Sequence, residues 1–124
     1  MLSLIAAVLL MLVGLFHSLI GGRRLIAPIV ARDDLPAILG SRAMSRVTLK
    51  AGWHLLTLMW FALAAILVLD QLAVAEFRQL TLAVFGGTFV FCGLAALLLS
   101  RGKHLSWMFF FPIGGILLWQ AVLA

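Results

Sequence analysis

Four long apolar runs, separated by short clusters of charge, set the pattern of this chain: residues 1–20, 51–69, 79–100 and 105–124. Each is close to the roughly 20 residues that a helix needs to cross about 30 Å of hydrocarbon. None has the regular polar face of a helix that meets water. The pattern therefore predicts an all-α, polytopic membrane protein, a single domain over residues 1–124 with four transmembrane helices. They are expected at about 2–20, 48–69, 78–100 and 104–122, with an amphipathic loop at 21–47 on the cytoplasmic side. Within that loop Asp33 or Asp34 opens a short helix, with Pro36 in its first turn and Gly40 as its stop. Ser45 is the candidate cap of the second long helix.

Small residues add a finer pattern. Gly14, His17, Ser18 and Gly21 recur at spacings of three and four, which puts them on one stripe of the first helix. Gly86, Val90 and Gly93 do the same on the third. Small side chains let neighbouring backbones approach, so Gly14, Ser18, Gly21, Gly86 and Gly93 are expected to pack helices together. One stripe would serve the fold and leave the other for a partner. Pro112 should bend the last helix, with Gly114 and Gly115 easing the adjustment.

Composition agrees with a membrane class: 65% of residues are hydrophobic, 10% are charged, and the mean hydropathy is +1.24. The net charge of +5 would otherwise point to acidic partners, but the basic residues flank the apolar runs. Arg23, Arg24, Arg32, Arg42, Arg46 and Lys50 outweigh Asp33 and Asp34 in the first connection, and Arg101 and Lys103 lie in the third. The second connection holds Asp70 and Glu76 against Arg78. Basic loops stay in the cytoplasm, which places both termini outside. Arg23, Arg24, Arg101 and Lys103 then become candidate contacts to lipid headgroups. No aromatic-basic interleaving of the kind that holds single strands is present, so no nucleic-acid partner is expected.

Trp53 and Trp107 should sit at one interface and Trp119 at the other, with Trp60 deeper. Cys92, the one cysteine, reads as a small apolar residue and excludes an intramolecular disulfide. No Lys or Arg precedes Arg23, so the first run reads as a retained helix rather than a signal peptide.

The three histidines are the candidate chemistry. His17 near the end of the first helix, His54 near the start of the second and His104 opening the fourth fall in one layer. Imidazoles at one depth could ligate a transition metal, and His17 with His54 could ligate a haem. Against this, no HxxxH, HExxH or CxxC spacing occurs. The default expectation is a packing role without a cofactor. An enzyme is not expected either. Ser18 and His17 are adjacent on a helix and point in different directions, and no phosphate-binding glycine loop appears. A small oligomeric transporter is a third reading, but the runs contain no carboxylate to couple an ion.

The segments "GLFHSLIGGRRLIAPI" and "KAGWHLLTLMWFALAAILV", with a histidine opening the last helix, resemble an uncharacterised family of small four-helix bacterial inner-membrane proteins. Members often read HS-x-x-G-E-R where this chain has "HSLIGGR", so Gly22 stands where an acidic residue is usual. The resemblance implies the four-helix architecture and a multi-pass place in the bacterial inner membrane; it implies no activity. The expected role is an accessory or assembly subunit that contacts the lipid bilayer and other membrane subunits or further copies of itself. The competing expectation is a redox or sensor protein that holds haem or a metal on His17, His54 and His104.

Overall fold

The computed structural model describes residues 2–124 as an all-α, four-helix bundle. The first long helix comprises α1 (Leu2–Phe16), a π-helical segment (His17–Ile26) and α2 (Ala27–Ala31). It is followed by α3 (Arg42–Gln71), α4 (Phe77–Leu99) and α5 (Trp107–Leu123). Three of these, Leu2–Ala31, Arg42–Gln71 and Phe77–Leu99, are long and apolar enough to cross a membrane; α5 is the shorter apolar helix. The bundle is that of a membrane-associated protein.

Packing follows chain order. The first helix lies on α3, α3 on α4, and α4 on α5. Both outer pairs are antiparallel. Along the first, Gly14 meets Phe61, Gly21 meets Trp53 and Arg46 reaches Val30. Along the second, equal steps down α4 and back up α5 bring Gly86 to Leu118, Val90 to Gly114 and Gly93 to Phe111. Small residues make up much of the interior, among them Ala7, Gly14, Ala62, Ala64, Cys92, Gly114 and Ala121, with Ile26, Val30, Leu35 and Met44 buried near one end, while most large aliphatic and aromatic side chains face outward. That inversion suits a hydrocarbon surrounding, where close approach of backbones holds helices together.

Several boundaries differ from those the sequence suggests. The first helix does not stop near Ile20 but continues to Ala31. Gly21 and Gly22 stay helical because Trp53 and His54 pack directly on them, and Arg23 and Arg24 face outward. The expected loop at 21–47 thus shrinks to a connection at 32–41 with no helix in it. The reason lies in its hydrogen bonds. Arg32 turns extended (ψ 145°), the carbonyl of Leu35 is taken by Arg42, and that of Pro36 by the Ser45 hydroxyl. Asp33 and Asp34 cap nothing; they pair with Arg46 and Arg32. Gly40 (φ 87°) serves a tight turn rather than a helix end. With Ser45 so engaged, the cap of α3 is Ser41, whose hydroxyl accepts from the amide of Met44 at 3.2 Å. Arg46 donates to the carbonyls of Val30 (2.8 Å) and Arg32 (3.0 Å), placing a cation at the C-terminal end of α2, where the helix dipole favours it.

At the other boundaries, α4 begins at Phe77 and α5 at Trp107, so His104 lies in the preceding turn and does not open a helix. α5 runs through Pro112 to Leu123; the proline ring removes the amide that would have reached back to Met108.

Candidate functional site

The sequence places His17 next to Ser18 and Trp53 next to His54, and the antiparallel register brings these two pairs face to face. A π-helix closes i→i+5 rings, and here the Ala27 amide donates to the Gly22 carbonyl. The wider turn shifts the inward stripe. An α-helical continuation from Gly14 would point residue 25 inward, yet Leu25 is exposed and Ile26 and Val30 are buried. His17, Ser18, Gly21 and Gly22 all turn toward α3 as a result. Long π segments are uncommon and single π turns often mark functional positions.

The contacts form a small polar cluster. The His17 ring lies flat on Trp53, centroids 3.8 Å apart and planes 11° from parallel, with Trp60 edge-on at 5.0 Å. His17 Nε2 donates to the Trp53 carbonyl (3.2 Å), and Trp53 Nε1 donates to the His17 carbonyl (3.0 Å). Because a carbonyl can only accept, this bond assigns the proton of a neutral His17 to Nε2 and leaves Nδ1 as an acceptor. One turn on, Ser18 Oγ bonds both His54 Nδ1 (2.9 Å) and the buried Thr57 hydroxyl (2.8 Å). The Cβ of any residue at 21 would stand 2.8 Å from Trp53, so glycine is what lets the indole lie there.

A serine bonded to a histidine raises the question of nucleophilic chemistry. That chemistry needs donors aimed at a developing oxyanion, usually supplied where a nucleophile sits at a strained turn before a helix. Ser18 is inside a continuous helix whose amides are engaged in the helix itself. Nothing among the described residues bonds to His54 Nε2 to orient the ring. What the two bonds of Ser18 do is join the first helix to α3. The ring nitrogens left uncommitted are His17 Nδ1 and His54 Nε2, and these are the atoms that could bind a metal or haem iron.

His104 is elsewhere. It lies beside Val47, Thr48, Ala51 and Leu55, on a face of α3 different from the Trp53, Thr57 and Trp60 face that meets His17. Its Nδ1 bonds Ser106 (2.8 Å) and its amide bonds Ser100 Oγ (3.0 Å). The structure puts His17, on Trp53, and His54, on Ser18, in one helix interface and leaves His104 apart, and no group of three potential metal-ligating side chains occurs among the described residues.

The glycine stripes are both used inside the fold. A Cβ at Gly14 would be 2.5 Å from Phe61; at Gly86, 2.8 Å from Leu118; at Gly93, 2.8 Å from Phe111. Neither stripe remains free for a partner. Gly114, expected only to ease the bend at Pro112, is the tightest point of the α4–α5 contact: a Cβ there would stand 2.7 Å from a Val90 methyl and 2.9 Å from the Gly86 carbonyl oxygen. Trp53 and Thr57 were the other residues not picked out as site members. Their signal was the register: with Arg24 level with Lys50, Ser18 comes level with Thr57. Of the headgroup candidates, Arg23 and Arg24 face outward, whereas Arg101 and Lys103 edge a cavity.

No protein-family model matches the chain, and no curated protein and no solved structure is similar to it.

Proposed function

We propose that this is a multi-pass protein of the bacterial inner membrane with a non-catalytic role, an accessory or assembly subunit of a larger membrane complex. The observation that carries the reading is the open, serial packing. The first helix and α5 each have one neighbour, so the row of helices ends in two apolar edges. Phe16, Val8 and Leu12 are exposed along one edge, and Phe109, Ile116 and Trp119 along the other. Such edges suit helix–helix contact with further subunits as well as lipid. The full-length antiparallel match of α5 to α4 supports a fourth span, although α5 alone is short. Eight basic residues at the end that carries residues 22–50 and 100–104, with Arg78 alone at the other, support both termini outside.

Native mass spectrometry after gentle extraction from the host membrane tests the reading. Co-migration with larger subunits at fixed stoichiometry is the expected result. A solitary chain carrying only lipid would overturn it. A second reading, a haem or metal protein, is favoured by the uncommitted His17 Nδ1 and His54 Nε2 in one helix interface; its mark would be a cofactor mass that His17→Ala removes.

A further inference from the structure

We propose that the cleft between α3 and the α4–α5 turn binds one acidic phospholipid. The cleft has two storeys. The lower is a cavity of about 170 Å³ walled mainly by apolar side chains, including Val47, Ala51, Leu55 and Phe110. A cavity of roughly 150 Å³ with such walls takes a benzene ring, so a stretch of acyl chain fits. The upper is a cavity of about 340 Å³ edged by Ser41, Arg101 and Lys103. The two adjoin, with Val47, Leu99 and Ser100 in the lining of both.

Charge selects the occupant. The acids at this end of the molecule, Asp33 and Asp34, are paired with Arg46 and Arg32. Among the described residues Arg101 and Lys103 have no acidic partner, and they edge the cavity that adjoins the apolar slot. A phosphate above an acyl chain complements that arrangement; a free anion would leave the slot empty.

The backbone adds an independent argument. α4 ends in a Schellman motif, with the Gly102 amide on the Leu97 carbonyl (2.8 Å) and the Arg101 amide on that of Leu98 (3.2 Å). Its left-handed position, φ 52°, is the one where glycine is preferred, and here it holds Arg101. Leu39 and Ala73 take the same region, and what sets Arg101 apart from them is a guanidinium at the cavity edge. Thr48, in the wall of the lower cavity, also buries a hydroxyl with no hydrogen-bond partner.

The inference rests on the membrane reading above, and its test separates the two. The purified full-length protein is reconstituted with phosphatidylglycerol or with phosphatidylcholine of the same acyl chains, and the lipids retained are counted by native mass spectrometry. One phosphatidylglycerol should be retained in preference. Arg101→Gln with Lys103→Gln should weaken retention about thirtyfold, the effect of two cations near a headgroup. Arg23→Gln with Arg24→Gln, which removes the same charge at the same end, should leave it intact. Arg101→Gly relieves the left-handed strain, so it should keep or raise the thermal midpoint while still weakening retention. Ala51→Phe should fill the slot and exclude the lipid. Equal loss with both arginine–cation pairs, equal retention of phosphatidylcholine, or displacement by inorganic phosphate would each overturn the site. Recovery of the protein in the soluble fraction would instead overturn the membrane reading.

Discussion

The two antiparallel hairpins of this molecule share close packing at glycine and differ in the polar contacts that only the first adds. Between the first helix and α3, polar groups reach across: His17 and Trp53 exchange two hydrogen bonds, and Ser18 joins His54 to Thr57. Between α4 and α5 the contact is apolar, with Gly86, Gly93 and Gly114 against Leu118, Phe111 and Val90, and Phe89 near Phe110. In a hydrocarbon surrounding there is no hydrophobic gain from putting one apolar helix on another, so association depends on packing or on hydrogen bonds. The first hairpin uses both, since Gly14 packs on Phe61 and Gly21 on Trp53 beside its hydrogen bonds, and the second uses packing. Close packing tolerates no added atom at the contact. Hydrogen bonds in hydrocarbon average only about 0.6 kcal/mol each, so the polar hairpin should tolerate the loss of one.

The sharpest way to break that contrast is Gly114→Leu. Its Cβ alone would lie 2.9 Å from the backbone of Gly86, which cannot yield as a side chain can. We expect a loss of about 3 kcal/mol in reversible unfolding from mixed micelles. Its neighbour Gly115 has nothing within 4 Å of an added Cβ, so Gly115→Ala should cost nothing in the same assay. Equal losses at both positions would mean that close contact is not what sets residue 114 apart, since helix propensity favours both substitutions.

A smaller effect is expected from Ser18→Ala, which removes two bonds and should cost roughly 1 kcal/mol. A double-mutant cycle with Thr57→Val should recover about 0.6 kcal/mol of coupling. Zero coupling would mean that the Ser18–Thr57 bond adds nothing to this hairpin and would leave its polar hold to His17, Trp53 and His54.

The smallest effect belongs to the connection at 32–41. The Arg32 guanidinium, bonded bidentately to Asp34, holds that carboxyl below its ordinary range. A carboxyl with a lowered folded-state pKa stabilises fully above the ordinary carboxylate range and loses that contribution as pH falls through the lowered value. Both groups are exposed, so screening leaves little. Asp34→Asn should leave the unfolding midpoint unchanged within error, at neutral pH and at pH 3 alike.

Much of the architecture could be read along the chain because apolar runs of membrane length are unambiguous in composition. Gly14, Gly21, Gly86 and Gly93 were legible as packing positions for a related reason, their spacing. The end of the first helix was not. Two glycines followed by two arginines look like a helix stop, and only the packing of Trp53 and His54 on Gly21 and Gly22 explains why the helix continues. The π-helical turn is equally invisible, since it depends on which residues α3 presents opposite. Asp33, Asp34 and Pro36 carry a helix-start signal that the connection overrides by lending its carbonyls to Arg42 and Ser45. The histidine layer was legible in depth but not in direction around the helix, which is what separates His104 from the other two.

Serial packing has a consequence for biogenesis. Every helix docks on elements next to it in the chain, so each contact is available soon after its second member leaves the ribosome. The first hairpin is complete once Gln71 has been synthesised, before any of α4 exists. Local order of this kind favours fast assembly with little time spent exposing unpaired polar groups such as Ser18 and Thr57. It also makes the turn at 72–76 a natural seam: cut there, the chain would divide into two hairpins, each retaining its principal internal contact.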